Sequence, residues 1–521
     1  MTTPIDFARL RTPAQHGEYL IEPGASLLAG LVEHNQAQFG SYEFMVGGLS
    51  FAEARGLVRG CAGVTDVPLV VTGHQPDFIH AGVWAKHAAA ARLAQAVGGR
   101  ALNLVVDQDA ARQTVLKVPE VDGDRVRVRT ISYADWRRGA AFEFLPAATA
   151  ASCHRLNAEV CDALGERYDD SMLPLFFEAY ASGAGAGEWV DQAVGARRAV
   201  ERCLGVGVDD VRVSRLWCGP LLAELLSEPR RFAAAYNEAL GSYRRANRVR
   251  SRERPVPNLY CDADQCELAV WAYRPGEPRQ RLFARRRGLV VELLAGEQVI
   301  ATFDVDGVRT GPGLKEQLHS LAPWVLRPRA LALTLWARLL LADLFIHGIG
   351  GAKYDRVTDD LIRLYFEVEP PAMGCVSATL RLVLPRHPLP PGSVAGSWHR
   401  LRDLEHNPQR HVTATGVDIE AAARARAVAE AIHLRAHQPQ NRPARRRVFV
   451  EIRECNRRIN ALQPQLRRAY ADELAARQRQ AVENRAAGSR EYFFAMHPRR
   501  ELEMLLERMP SVHDISRSAI V

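Results

Sequence analysis

The sequence has nine cysteines but no CxxC pair and no repeated cysteine spacing, which argues against a zinc ribbon and against a disulfide framework. Its closest pair, Cys261 and Cys266, flanks Asp262 and Asp264. Metal ligation is one reading of that group, and two small buried hydrophobes is the plainer one. Long apolar runs are missing too. A membrane-spanning helix needs roughly 20 apolar residues, and the longest run here, 331 to 346, is broken by Arg338 and Asp343. The opening stretch MTTPIDFARLRTPAQHGEYL has neither the basic start nor the apolar core of a secretory signal, so a cytoplasmic protein with no membrane partner is expected. Strong charge of one sign is absent from most of the chain. The net charge is +8, yet residues 421 to 500 carry 18 arginines against seven acidic residues, which leaves the rest slightly acidic. An arginine-rich helical stretch is first of all a solvated face, so a nucleic-acid partner is not expected. An anionic ligand such as a nucleotide is the alternative.

What is present describes a large soluble enzyme. The 521 residues are 47% apolar and 25% charged, enough for two or three cores. Residues 1–64 read as an N-terminal helical segment. Residues 68 to 72 form a short apolar run closed by Pro68 and Gly73, as expected of a strand covered on both faces. An alanine-rich helix over 82–97 and a second apolar run ending at Asp107 follow, and strand, helix, strand in that order belongs to a parallel sheet. The fold class expected is therefore α/β, with a Rossmann-like parallel-sheet core divided between 65–254 and 311–380. Between these parts, 255–310 alternates apolar and polar residues around glycine turns and predicts a β-hairpin insert. A proline-rich linker is expected over 381–414 and a helical, coiled-coil region over 415–521. In that region Val448, Ile452, Cys455, Ile459, Leu462 and Leu466 are spaced by 4, 3, 4, 3 and 4, with Pro464 interrupting. One such helix cannot bury its stripe alone, so it pairs within the chain or across a homodimer.

Three strand ends carry surplus polarity. After the first come Gly73, His74, Gln75, Pro76, Asp77 and, at the helix start, His80. Free N–H groups at a helix start hold phosphate or carboxylate, and a histidine there donates a proton or a hydrogen bond to developing charge. Lys86, in the second turn of that helix, joins Gly73 as a candidate phosphate binder. His80-Ala81-Gly82 matches half of the H-x-G-H signature of nucleotidylyltransferases, with Val83 in place of the second histidine. A capped helix with structural histidines is the alternative. The second strand end carries Asp107 and Asp109, candidates to hold Mg²⁺ or a substrate amine, or else ordinary turn and cap residues. The third, Ile346 to Asp355, combines His347, Gly348, Gly350, Gly351 and Lys353. Its glycines allow backbone to approach a ligand and its lysine reaches a phosphate. The loop is neither a Walker A sequence nor a complete G-x-G-x-x-G. Because ligands sit beyond the carboxyl ends of parallel strands, the first two loops share one edge, and the third joins them if its strand lies in the same sheet.

The order of these pieces resembles the cysteine-adding enzyme family of bacillithiol biosynthesis. The resemblance rests on Thr72-Gly73-His74-Gln75-Pro76-Asp77 where the family has T-G-Q-Q-P-G, and on the acidic loop at Asp107 to Asp109. It continues through Asn237-Glu238-Ala239, VLRP at 325 to 328 and the glycine loop 347 to 353, spanning most of residues 65 to 500. His74 stands for Gln, Asp77 for Gly, and the acidic loop is reduced, the pattern of a diverged member. The resemblance implies a dimer that joins cysteine to the amine of a glucosaminyl malate. A free carboxylate does not acylate an amine at neutral pH, so activation as a phosphate or adenylate ester is required, with ATP or another nucleotide as the candidate cofactor. On this reading His74, Gln75, His80 and Asp107 are catalytic. Gly73, Lys86, Asp109, His347, Gly348, Gly350, Gly351 and Lys353 bind substrate or phosphate, and no metal is assigned. A nucleotidylyltransferase with another acceptor, or a non-catalytic nucleotide- or nucleic-acid-binding scaffold, are the alternatives.

Overall fold

The computed structural model describes residues 10–111, 113–136, 138–217, 219–304 and 321–510. The strands that organise it are, in chain order, β1 (Glu18–Glu22), β2 (Leu69–His74), β3 (Arg100–Val105), β4 (Asp209–Arg212), β5 (Gln265–Tyr273), β6 (Gln280–Arg287), β7 (Val290–Ala295), β8 (Gln298–Asp304), β9 (Val325–Pro328), β10 (Leu344–His347) and β11 (Met373–Thr379). The helices that matter below are α1 (Ala81–Ala96), α2 (Ile349–Phe366), α3 (Ser393–His406), α4 (Val417–His437), α5 (Arg442–Leu462) and α6 (Pro464–Ala487).

A six-stranded, mostly parallel sheet runs in the order β1-β11-β10-β2-β3-β4, with only β1 antiparallel to its neighbour. Leu69, Val70 and Val71 are fully buried, as a strand covered on both faces requires. Leu69, Val71, Leu102, Leu104 and Phe345 point into the same core as Val357 and Leu361 of α2. The alternate residues Val70 and Ile346 point to the opposite face. Helix α1 packs on β2, β3 and β11, and its alanines at 81, 85, 88, 89 and 90 are buried, so small side chains let it lie close to the sheet. The N-terminal segment is not wholly helical, since β1 within it forms the antiparallel edge of this sheet.

The hairpin insert is a five-stranded antiparallel sheet in the order β8-β7-β6-β5-β9. Its last strand is the VLRP segment, which returns to pair with β5 beyond the boundary expected at 310. That boundary itself lies outside the described residues. Cys261 and Cys266 are joined as a disulfide with their Cα atoms 4.1 Å apart, correcting the reading of two separate hydrophobes.

The described residues divide into one compact unit within 10–118, 129–382 and 490–510, and a second of 119–128 and 383–489. In the second, the stretch read as a linker contains α3. The apolar stripe is covered from within the same unit. Val448 packs with Ala427 and Leu434 of α4, and Ile459 packs with Leu404 of α3 and Val412. Pro464 sits at the first turn of α6, where its missing N–H is tolerated, so the stripe is divided between two helices. Among the described residues, no helix is long and apolar enough to cross a membrane.

Candidate functional site

Strands β2 and β10 are hydrogen-bonded neighbours, with Ile346 beside Thr72, yet the chain leaves them in opposite directions. From β2 it proceeds to β3 and β4, and from β10 to β11 on the other side. This is a topological switch point, where the loops after neighbouring strands separate and leave a crevice. A cavity of about 760 Å³ lies there, bounded by Gly73 and His74 of β2, the start of α1, His347 of β10 and the start of α2. All three polar strand ends therefore meet, the third with the first two.

His80 is the N-cap of α1, and its Nδ1 accepts the Gly82 N–H at 3.0 Å. A neutral imidazole that accepts at Nδ1 carries its proton at Nε2, so His80 is a donor there. His74 is the complement. Its Nδ1–H donates to the Gln75 carbonyl oxygen at 3.0 Å, which leaves Nε2 as an acceptor. Burial, then repulsion from Lys86, lowers His74 to about 3, and burial, then Arg490 and Lys86, lowers His80 to about 4. Both rings are neutral at pH 7. Gly82 is required by space, because a Cβ there would lie 2.7 Å from the Ala378 carbonyl oxygen.

Lys86 is 3% exposed, and its ammonium donates to the Gly73 carbonyl oxygen at 2.7 Å. Burial lowers it to about 8. At the other helix start, His347 pairs through Nε2 with Asp355 at 3.0 Å, and Asp355 pairs with Arg338 at 2.7 Å. Burial acts to raise Asp355, but Arg338 first and His347 next hold it well below the usual carboxylate range. Gly348, Gly350 and Gly351 line the cavity, whereas Lys353 lies off its wall.

Of the two aspartates expected in the site, only Asp109 reaches the cavity. Asp107 is fully buried outside the cavity wall, and its oxygens accept from Arg212 Nε at 2.7 Å, the Ser214 N–H at 2.9 Å and the Ser214 hydroxyl. It holds β4 and the short helical turn after it, Val213–Leu216, and does not face the cavity where a substrate amine would lie. Asp109 does face the cavity, bound to Arg279 Nη1 at 2.8 Å and accepting from Gln75 Nε2 at 2.9 Å. The two carboxylates do not converge on a common point for Mg²⁺. Among the described residues, no group of three or more His, Cys, Asp or Glu could hold a metal ion.

Three wall residues carry charge that sequence reasoning passed over. Arg279 and Arg329 flank Trp271, their guanidinium carbons 5.1 and 3.9 Å from its ring centre, and Arg329 is anchored on Glu267 at 2.7 Å. Arg490 reaches the Ala378 carbonyl at 3.1 Å and the Thr379 hydroxyl at 3.2 Å. With Lys86 they give the described lining four cations against the single carboxylate of Asp109. Two helix starts add their partial positive charge. The described lining is more basic than acidic, although Arg279 is paired with Asp109 and Arg329 with Glu267.

The sequence matches no protein-family model and no curated protein. The site is therefore read from its own chemistry. One signal for Lys86 was available in the text: only four lysines occur among 68 basic residues, and two of them stand just after these strand ends.

The histidines give a pH signature. Their folded values lie below the unfolded value of about 6.5, and His497, also buried, is lowered to about 3. Between about pH 6.5 and 4 the unfolded chain binds protons that the folded chain does not, so stability falls as pH falls. Urea unfolding at pH 7 and 5 should show a drop about 1 kcal/mol smaller per pH unit for each histidine replaced in His74→Gln, His80→Gln. Equal pH slopes in the two proteins would contradict the neutral assignment.

Proposed function

We propose that this chain is a ligase-like enzyme forming a C–N bond, in which a carboxylate is activated in the electropositive cavity and passed to a primary amine. Following the resemblance, cysteine is the acid and a glucosaminyl-malate-type amine the acceptor, in cytoplasmic low-molecular-weight thiol (bacillithiol) synthesis. The Rossmann-like reading of the core and a homodimer belong to the same proposal, the dimer resting on the resemblance and not on the stripe of α5, which is covered within its own unit. The observation that carries it is the convergence at one switch point of two helix starts, two neutral imidazoles and four cations around one carboxylate.

An amine and a carboxylate combine only after the carboxylate gains a leaving group, and ATP or another nucleotide supplies it. The residues suit such a co-substrate: Lys86, Arg490 and the start of α2 for phosphates and Trp271 for a base, within about 760 Å³. His80, donating at Nε2, is suited to the oxygen on which charge gathers in acyl transfer. His74, accepting at Nε2, is suited to receive or orient a proton. Asp109, not Asp107, is the carboxylate available to orient the amine.

The test is thiol-product formation with ATP, cysteine and glucosaminyl malate. Removing two neutral hydrogen bonds of about 1 kcal/mol each should lower the rate about 10- to 30-fold in His74→Ala, His80→Ala. Full activity in that variant would refute the assignment of the histidines. Pyrophosphate release that does not depend on cysteine would favour nucleotidyl transfer to another acceptor instead.

A further inference from the structure

A second groove, of about 970 Å³, adjoins the cavity and shares two wall residues with it, Gln75 and Asp109. These two are bonded to each other at 2.9 Å, and Arg279 holds the other oxygen of Asp109 at 2.8 Å. They form a partition whose carboxylate faces both compartments. The compartments differ in charge. Against the four cations and one carboxylate of the first, the described lining of the second has three carboxylates, Asp77, Asp109 and Glu491, with Lys117 and Arg138 as its cations. Its lining also includes Phe78 and Phe493, packed edge to face with centroids 5.2 Å apart.

We propose that this second groove is the subsite of the acceptor, a hydrophilic primary amine that carries an anionic substituent, and that the amine reaches the first cavity across the Gln75–Asp109 partition. The inference rests on the ligase reading for the reaction, and on the groove alone for the binding. The ammonium is drawn to Asp77 and Asp109, and the anionic substituent to Lys117 and Arg138. The separation has a chemical reason. An anion activated among four cations would be neutralised by an amine sharing its compartment before activation, whereas an amine waiting behind Asp109 stays apart until the acyl group is ready. In the transfer, the ammonium first gives one proton to His74, which accepts at Nε2, and the neutral amine nitrogen then forms a bond to the acyl carbon. The carbon–oxygen bond to the phosphate leaving group breaks with its electron pair going to that oxygen, and the second proton lost by nitrogen passes to Asp109.

Asp77→Asn and Lys117→Ala alter the second groove and leave every residue of the first in place. Three quantities decide the matter in the full chain: glucosaminyl malate binding by calorimetry without nucleotide, its KM in the complete reaction, and cysteine-dependent exchange of pyrophosphate into ATP. The expected result is saturable binding by the wild type, an approximately tenfold rise in Kd and KM for the amine in each variant, and unchanged exchange. Failure of the wild type to bind the amine, or an unchanged Kd in both variants, overturns the subsite. Absence of exchange in the wild type while the amine still binds and responds to Asp77→Asn overturns the ligase reading and leaves the subsite standing.

Discussion

Replacing Arg338 by methionine is expected to lower stability by about 3–5 kcal/mol at pH 7, the range for a buried carboxylate stripped of its partner. Arg338 is 2% exposed and holds Asp355 and Asp359 at 2.7 Å each, with a further bond to the Pro371 carbonyl. Asp355 is fully buried and in turn holds His347. Because Asp355 is held below its ordinary value, it contributes stability above the unfolded carboxyl value of about 3.9 and loses it as pH falls through the lower folded value. Without Arg338 the carboxyl rises, so the variant recovers by protonation at a pH where the wild type is still ionised. Urea unfolding of both proteins at pH 7 and 4 should show the deficit narrowing in acid. The comparison cancels the histidines, which are common to both. Equal stability at pH 7 would show that Asp355 needs no partner and would remove the account of how His347 is fixed at the cavity.

Replacing Lys86 by methionine is expected to raise stability and destroy anion binding together. Burial lowers Lys86 from about 10.5 to about 8, so the folded protein bears a cost of about 3 kcal/mol for keeping it charged at pH 7. Between pH 8 and 10.5 the unfolded chain binds a proton that the folded chain does not, so wild-type stability rises with pH across that window. Methionine matches the stem and has no charge, so the variant should be more stable at pH 7 by up to about 3 kcal/mol, with the gap closing towards pH 10.5. Its affinity for ATP should fall about 100-fold, the loss of a buried charged contact of about 3 kcal/mol. Above pH 8 the wild type should lose ATP affinity as the ammonium deprotonates, while the variant stays flat. Calorimetry across pH 6.5 to 9.5 reads this, and an unchanged Kd in the variant would take Lys86 out of the site.

The strand ends were legible because a parallel strand covered on both faces reads as an unbroken apolar run, so polar residues after it stand out. That placed Gly73, His74, Gln75, His80 and the glycine loop correctly on one cavity. Asp107 and Asp109 were not distinguishable by the same logic. Which one turns inward depends on Arg212, a partner 105 positions away, and no local pattern announces it. Arg279, Arg329 and Arg490 were hidden by abundance, since an arginine carries little information in a chain so rich in them. In α5 the spacing identified the buried face but not its cover, which α3 and α4 supply. Strand β1 escaped because EYLIE is short and only one side of it is paired. Periodicity reports which side of an element is covered, and is silent about what covers it.

The last described stretch of the chain returns to the first loop. Phe493 bridges His80, Phe494 stacks on Trp84 at 5.1 Å, and Arg490 supplies one of the cations of the cavity. The helices from 393 to 487 thus interrupt the coding of a single centre. The last strand of the parallel sheet ends at Thr379, whereas Arg490, which lines the cavity, stands 111 positions further along, so a chain cut within the intervening helices has the sheet strands but lacks one cation of the cavity wall.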